Sequence, residues 1–144
     1  MADEKTLVYA LGEVKQVAAD IVSLRDQCAA FTFTGPLGAG KTTLIQQCLR
    51  LCGIEGVITS PTFTYVNLYT NKQDQTFYHF DLYRIATLGD FQEAGFDEYL
   101  YLPDSWSFIE WPEVIMPLLK NRVCHVALDY EGLDKRKVVI KVIL

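Results

Sequence analysis

The sequence predicts an α/β fold: a single domain built on one sheet of mixed parallel and antiparallel strands, flanked by helices. Three observations predict it. Segments with apolar residues on three-to-four spacing are interleaved with short apolar or aromatic runs of strand length. A chain of 144 residues that is 50% hydrophobic can bury one sizeable core but is short for two ordinary domains. No internal repeat, low-complexity tract or Gly/Ser linker breaks the pattern, so residues 1–144 read as one domain.

Thr6 to Leu11 reads as an edge strand. Gly12 to Gln27 reads as an amphipathic helix, because Val14, Val17, Ala18, Ile21, Val22 and Leu24 recur at helical spacing. Ala29 to Thr34 is a continuous apolar run, as expected of a buried strand. A glycine-rich loop follows, then a helix from Lys41 to Leu51 that Gly53 ends. Phe63 to Tyr69 and Thr76 to Tyr83 are aromatic and β-branched around a polar stretch, Thr70 to Gln75, which predicts an antiparallel hairpin. Thr87 to Ala94 and Asp97 to Leu100 read as short helices, Trp106 to Glu110 as a buried strand, and Glu113 to Leu119 as a further short helix. Val123 to Tyr130 and Lys137 to Ile143 then form a closing hairpin with Glu131, Gly132 and Lys135 in its turn. Helices interleaved with strands, some in hairpins, imply a sheet of mixed direction.

The loop GPLGAGKTTL carries the clearest chemistry. Gly35, Gly40, Lys41 and Thr42 satisfy GxxxxGK[ST] between a predicted strand and a predicted helix. Bare backbone at Gly35, Gly38, Ala39 and Gly40, with Lys41, Thr42 and Thr43, can close around a phosphate chain such as that of ATP. The helix N-terminus and the Lys41 ammonium supply positive potential, and the Thr42 hydroxyl can ligate Mg²⁺. An ordinary Gly-rich turn would need no Lys-Thr pair. The fold is therefore expected to be of the P-loop NTPase type.

Hydrolysis also needs acidic groups at strand ends near the metal. TFYHFD ends in Asp81 and WSFIE in Glu110, and either could ligate Mg²⁺ or orient water. The plainer alternatives are an Asp81–Arg84 ion pair and an exposed turn glutamate before Trp111-Pro112. Thr62, in Ser60-Pro61-Thr62, stands where a switch hydroxyl could reach the metal or γ-phosphate, or it is a turn hydroxyl. His79 in an aromatic strand reads first as a packed histidine. Trp111 could stack on a base or simply pack. Asn71-Lys72-Gln73-Asp74 spells NKxD, the guanine-reading pattern, but it fills a hairpin turn before the first acid and reads as turn chemistry, so ATP is expected over GTP.

Net charge is −5, which argues against a broad grip on nucleic acid; any RNA role should be indirect. Cys28, Cys48, Cys52 and Cys124 lack CxxC spacing and read as reduced thiols. MADEKTLVYA lacks the pattern of a signal peptide, and no apolar run approaches the roughly twenty residues of a membrane span, so a soluble cytoplasmic protein without membrane attachment is expected.

GPLGAGKTTL, SPTFTYVNLY, YHFDLYRI and FIEWPE, in this order and in a chain of this length, resemble the TsaE (YjeE) family of bacterial P-loop ATPases over essentially the whole chain. The resemblance implies support of threonylcarbamoyladenosine synthesis on tRNA, together with TsaB and TsaD. It implies phosphate binding by Gly38, Gly40, Lys41, Thr42 and Thr43, and Mg²⁺ ligation by Thr42 with Asp81 or Glu110. Thr62 would be the switch threonine, Glu110 the water-orienting acid, and Trp111 a neighbour of the nucleotide. Pro36 departs from the family pattern but forfeits only one N–H outside the Gly-Lys-Thr core. Turnover should be slow in isolation, with Arg84 ordered by partner contact and Phe91 to Tyr101 either a docking surface or plain packing. The competing functions are a small-molecule kinase and a nucleotide-gated interaction module with negligible hydrolysis.

Overall fold

The computed structural model describes residues 2–144. The chain runs through strand β1 (Ala2–Ala10), a 3-10 turn (Leu11–Glu13), helix α1 (Val14–Val22), β2 (Ala30–Thr34), α2 (Lys41–Leu51), β3 (Val66–Thr70) and β4 (Thr76–Asp81). It continues through α3 (Leu88–Glu93), a 3-10 turn (Phe96–Tyr99), β5 (Ser105–Glu110), a 3-10 turn (Glu113–Leu118), β6 (Val123–Tyr130) and β7 (Lys135–Ile143). The strands make one sheet in the order β1-β7-β6-β2-β5-β4-β3. Its centre is parallel, β2 pairing with both β5 and β6, and β5 with β4. The flanks are antiparallel: β1 on β7, β7 on β6, and β3 on β4. The mixed α/β architecture predicted from the sequence is the one observed.

Side chains alternate across this sheet, so the central strands β2, β4, β5 and β6 each feed two cores. Phe31, Phe33, Phe77, Phe108 and Val126 meet α1 and α2 on one face, where Val17, Ala18, Ile21, Leu44, Ile45, Cys48 and Leu49 are buried. Their neighbours Ala30, Tyr78, Phe80, Ile109 and Val123 pack on the other face with Phe91 of α3, Ile115 and Leu119. Helix α2 buries Lys41, Leu44, Ile45, Cys48 and Leu49, an i, i+3, i+4, i+7, i+8 stripe. Each fully buried Leu or Ile of that stripe contributes about 1.5–3 kcal/mol. The stripe therefore fixes the helix's rotation and turns its first residue, Lys41, toward the sheet.

Several boundaries differ from expectation. β1 begins at Ala2 rather than Thr6 because β7 offers a continuous antiparallel ladder, from Ala2↔Ile143 to Ala10↔Lys135, that recruits even the polar segment Asp3-Glu4-Lys5. Charged residues suit an exposed edge. The expected long first helix is a 3-10 turn followed by a shorter α1, and the Ser23 hydroxyl donates to the Asp20 carbonyl at its end (2.6 Å). β3 starts at Val66 because Pro61 to Tyr65 form a turn closed by Tyr65 N–H to the Pro61 carbonyl (3.1 Å). The piece from Glu113 is 3-10, with Pro117 inside it unable to donate.

All four cysteines are free and buried. Burial pushes the thiols of Cys28 and Cys52 up to about 11 and that of Cys124 to about 12. They are free thiols, as the spacing suggested, and they lie in the core. Among the described residues no helix is long and apolar enough to cross a membrane. The aromatic residues of the segment from Phe91 turn inward: Phe91 packs on Phe80 and Phe96, and Tyr99 stacks on Tyr78 at 4.9 Å. Packing thus accounts for its aromatic composition.

Candidate functional site

The site forms where three parallel strands end beside the start of α2. Along β4, Phe77, His79 and Asp81 share the α2 face, and along β5 Trp106, Phe108 and Glu110 do the same. The parallel register sets Asp81 directly beside Glu110. β5 lies next to β2, whose end leads into the glycine loop, so both carboxylates arrive at the first turn of α2. Leu37, Gly38, Gly40, Lys41, Thr42, Thr43, Asp81, Glu110 and Trp111 line one cavity of about 300 Å³. The ends of parallel strands are where such sheets bind ligands.

Glu110 is the hub. Its Oε1 accepts from the Thr42 hydroxyl (2.8 Å), and its Oε2 lies 2.8 Å from His79 Nε2. A carboxylate can only accept, so the proton sits on Nε2 and the histidine donates. His79 is fully buried, Glu110 is 3% exposed, and His79 Nδ1 has no partner among the described residues. An unpaired acceptor nitrogen is the cheaper orphan, which fits this tautomer. The plainer alternative, an exposed turn glutamate, is thereby excluded, and Glu110 is the buried strand-end acid expected. His79 is packed, as expected, but it also orients an acid, a role its sequence context did not reveal.

Lys41 is 5% exposed and donates to the Gly35 carbonyl (2.6 Å), with its Nζ 3.6 Å from the centre of the Trp111 ring. Burial lowers its pKa, against the opposing pull of Glu110, Glu113 and Asp81. Trp111 is held at φ 56°, a left-handed conformation unusual for a bulky residue, and Tyr83 packs against its ring at 4.9 Å. In this state it covers the lysine rather than presenting an open stacking face. Asp81 Oδ1 accepts from Tyr83 N–H (3.1 Å); burial raises the carboxyl's pKa, as does Glu110, while the Tyr83 hydrogen bond and the Lys41 charge lower it. Arg84 lies over the Phe63 ring at 5.1 Å instead of pairing with Asp81.

Of the expected site residues, Gly35, Ala39 and Thr62 do not line this cavity: Gly35 holds Lys41 through its carbonyl, Ala39 lines a second cavity beside the loop, and Thr62 is not brought in. Its hydroxyl donates to Ser60 Oγ (3.5 Å) in the exposed turn, and it does not line the cavity. Asn71 is turn structure: its amide donates to the Cys52 carbonyl and Gln75 Oε1 (both 2.8 Å), and Oδ1 accepts from Gln73 and Gln75 N–H. That holds the NKxD segment against the end of α2. Sequence reasoning missed Tyr9, Leu11, Val14 and Arg136, which with Gly38, Ala39, Gly40 and Thr43 line this second cavity, of about 300 Å³, on the other side of the loop. Arg136 follows the C-terminal turn and carries no motif.

The donor set suits a hard cation of Mg²⁺ type: one hydroxyl and two carboxylates, all oxygen, beside a phosphate loop. Among the described residues no cluster of three or more His, Cys, Asp or Glu could make an all-protein metal cage. Mg²⁺ bound partly through substrate phosphates does not need one.

The family model described as "Threonylcarbamoyl adenosine biosynthesis protein TsaE" matches residues 9–138. The "tRNA threonylcarbamoyladenosine biosynthesis protein TsaE" of Haemophilus influenzae is 37% identical over 81% of this chain and 73% of its own length. The protein of the same description from Rickettsia bellii is 31% identical over 94% of this chain and 93% of its own. Among solved structures, that of "Bacillus subtilus YdiB" superposes with a TM-score of 0.77 at 23% identity, covering all of this chain and 88% of its own; it supports the fold.

Proposed function

The chain belongs to the TsaE family, whose role is in threonylcarbamoyladenosine biosynthesis, and from that premise we propose that it is a Mg²⁺-dependent ATPase supporting that tRNA modification together with TsaB and TsaD. The observation that carries the ATPase reading is the convergence of Lys41, Thr42, Asp81 and Glu110 on one cavity at the N-terminus of α2. The first N–H groups of α2 have no intrahelical acceptor and, with its dipole, favour the triphosphate. Lys41 exchanges its bond to the Gly35 carbonyl for phosphate oxygens. The second cavity offers the adenine a wall of Tyr9, Leu11 and Val14 beside the loop. The NKxD segment gives GTP no support, because the Asn71 side chain is engaged in its own turn.

Thr42 and Glu110 would hold Mg²⁺, which when bound neutralises charge developing on the transferred phosphoryl group. Both Glu110 oxygens already accept hydrogen bonds, which favours a metal-side role. Asp81 keeps Oδ2 available, and its raised pKa suits holding a proton of the attacking water. This reverses the expectation that Glu110 orients the water. Trp111 screens Lys41 from solvent. The site is cytoplasmic in this reading, and tRNA is reached through the partners rather than by this acidic chain itself.

Competition titration with ATP and GTP in Mg²⁺ buffer, followed by phosphate release and reconstituted tRNA threonylcarbamoylation with TsaB and TsaD, tests the proposal. ATP should bind in preference, Lys41→Ala should abolish binding, and repeated modification turnovers should require the intact protein. Partners that cycle equally well with Lys41→Ala would refute the energetic role. ATP binding without phosphate release would leave a nucleotide-gated module instead.

A further inference from the structure

The glycine loop meets the C-terminal hairpin at three alternating residues, by close approach at the first and by hydrogen bonds at the other two. At Gly35, with φ 141°, a Cβ would collide with the Leu128 carbonyl oxygen of β6. Two residues on, the Leu37 carbonyl accepts from the Tyr130 hydroxyl (2.6 Å) at the end of β6. Two further on, the Ala39 carbonyl accepts from Arg136 Nε (3.2 Å) on β7. Arg136 also lies over the Tyr130 ring at 4.7 Å, so the two donors brace each other. A Cβ on Gly38 would sit 3.0 Å from the Tyr130 oxygen and would press on this bond, and the φ of 78° there also favours glycine.

A peptide unit is planar and trans, so its C=O and N–H point in opposite directions. Pinning the Leu37 carbonyl to the hairpin turns the Gly38 N–H away from it, and pinning the Ala39 carbonyl does the same for the Gly40 N–H. Gly38 and Gly40 both line the cavity that holds Lys41, Thr42 and Glu110. A Gly-rich loop has the freedom to turn these peptides over, which would face carbonyl oxygens toward a phosphate. We propose that Tyr130 and Arg136 are positioning residues for nucleotide binding: they hold two loop carbonyls against the β6–β7 hairpin so that the Gly38 and Gly40 amides are presented to phosphate oxygens before the ligand arrives. This inference rests on the nucleotide reading of the site.

Tyr130→Phe is the cleaner probe, since Tyr130 lines neither cavity and phenylalanine keeps the ring beneath Arg136. Backbone amide NMR of the ligand-free protein and calorimetric titration with Mg-ATP give independent readouts. The variant should melt close to wild type, while its Gly38 amide signal shifts or splits and Mg-ATP binds about fivefold more weakly, the loss expected from one net hydrogen bond. Its KM should rise with kcat kept, because the lost interaction serves binding in ground and transition states alike. Arg136→Gln should move the Gly40 amide; weaker binding with that amide unmoved would make Arg136 a direct ligand and overturn its half of the clamp. An unchanged Gly38 signal, or a changed signal with unchanged affinity, overturns the Tyr130 half. Wild-type protein that binds no Mg-ATP would overturn the nucleotide reading itself, which separates the two failures.

Discussion

Glu110 presents two oxygens to two donors, and replacing the acid or one donor separates charge from geometry. Glu110→Gln keeps the shape: its carbonyl can still accept from His79 Nε2 and its amide can donate to the Thr42 hydroxyl, so neither partner is orphaned. Stability should change little, while phosphate release falls on the order of a hundredfold or more through loss of positioned charge. An unimpaired rate would remove Glu110 from the machinery. His79→Ala instead leaves Glu110 Oε2 buried without its donor and opens a cavity, so urea unfolding should show a loss of about 2–4 kcal/mol. His79→Gln, which restores a donor, should recover part of both stability and rate; no recovery would make His79 packing alone. Lys41 and Thr42 were legible because their motif is local, and Asp81 and Glu110 because acids at the ends of apolar runs mark sheet rims. His79 was not legible as a partner, since its contact with Glu110 depends on the register of β4 against β5. Thr62 misled for the converse reason: an attractive position in sequence lies in a turn that Pro61 and Tyr65 close on themselves.

At the scale of elements, the strand that carries Glu110 is held by aromatic rings. Phe108, two residues before it on the same face, is fully buried and stacks on Phe31 at 5.1 Å and on Phe77 at 6.4 Å, joining β2, β5 and β4. Phe108→Ala should cost about 3–5 kcal/mol in urea unfolding. It should also lower hydrolysis in the fraction that remains folded, because the same register places the acid. A loss below about 1 kcal/mol would show that the three strands are fixed by their ladders alone. The order and type of most elements were legible, since the apolar period differs between helix and strand. Their ends were not. β1 is extended over Ala2 to Lys5 by residues of β7 that lie 135 to 141 positions away in sequence, and the first helix is cut short by turns that propensity does not locate. The Tyr130 and Arg136 contacts to the loop were invisible for the same reason: they join residues 93 and 97 positions apart.

The whole molecule balances two titrations of opposite sign. His125 on β6 lies beside Thr32, whose hydroxyl is 2.6 Å from Nδ1, and directly across from Lys141 of β7. Burial, and then the Lys141 charge, hold its pKa below the ordinary 6.5. Between that ordinary value and the lower folded one, the unfolded chain binds the extra proton more readily, so stability is lost as pH falls from about 6.5. Asp81 acts in reverse: its raised pKa means that the folded state takes up a proton first, which offsets acid loss only in the carboxylate range below. Urea midpoints for wild type and His125→Asn, compared from pH 7.5 to 5.5, separate the two. The wild-type midpoint should fall across this interval and the variant's should fall less, with the profiles parallel above pH 7. Parallel profiles throughout would show that His125 protonates with equal ease in the folded and unfolded chain, and that the acid sensitivity of the sheet centre lies elsewhere.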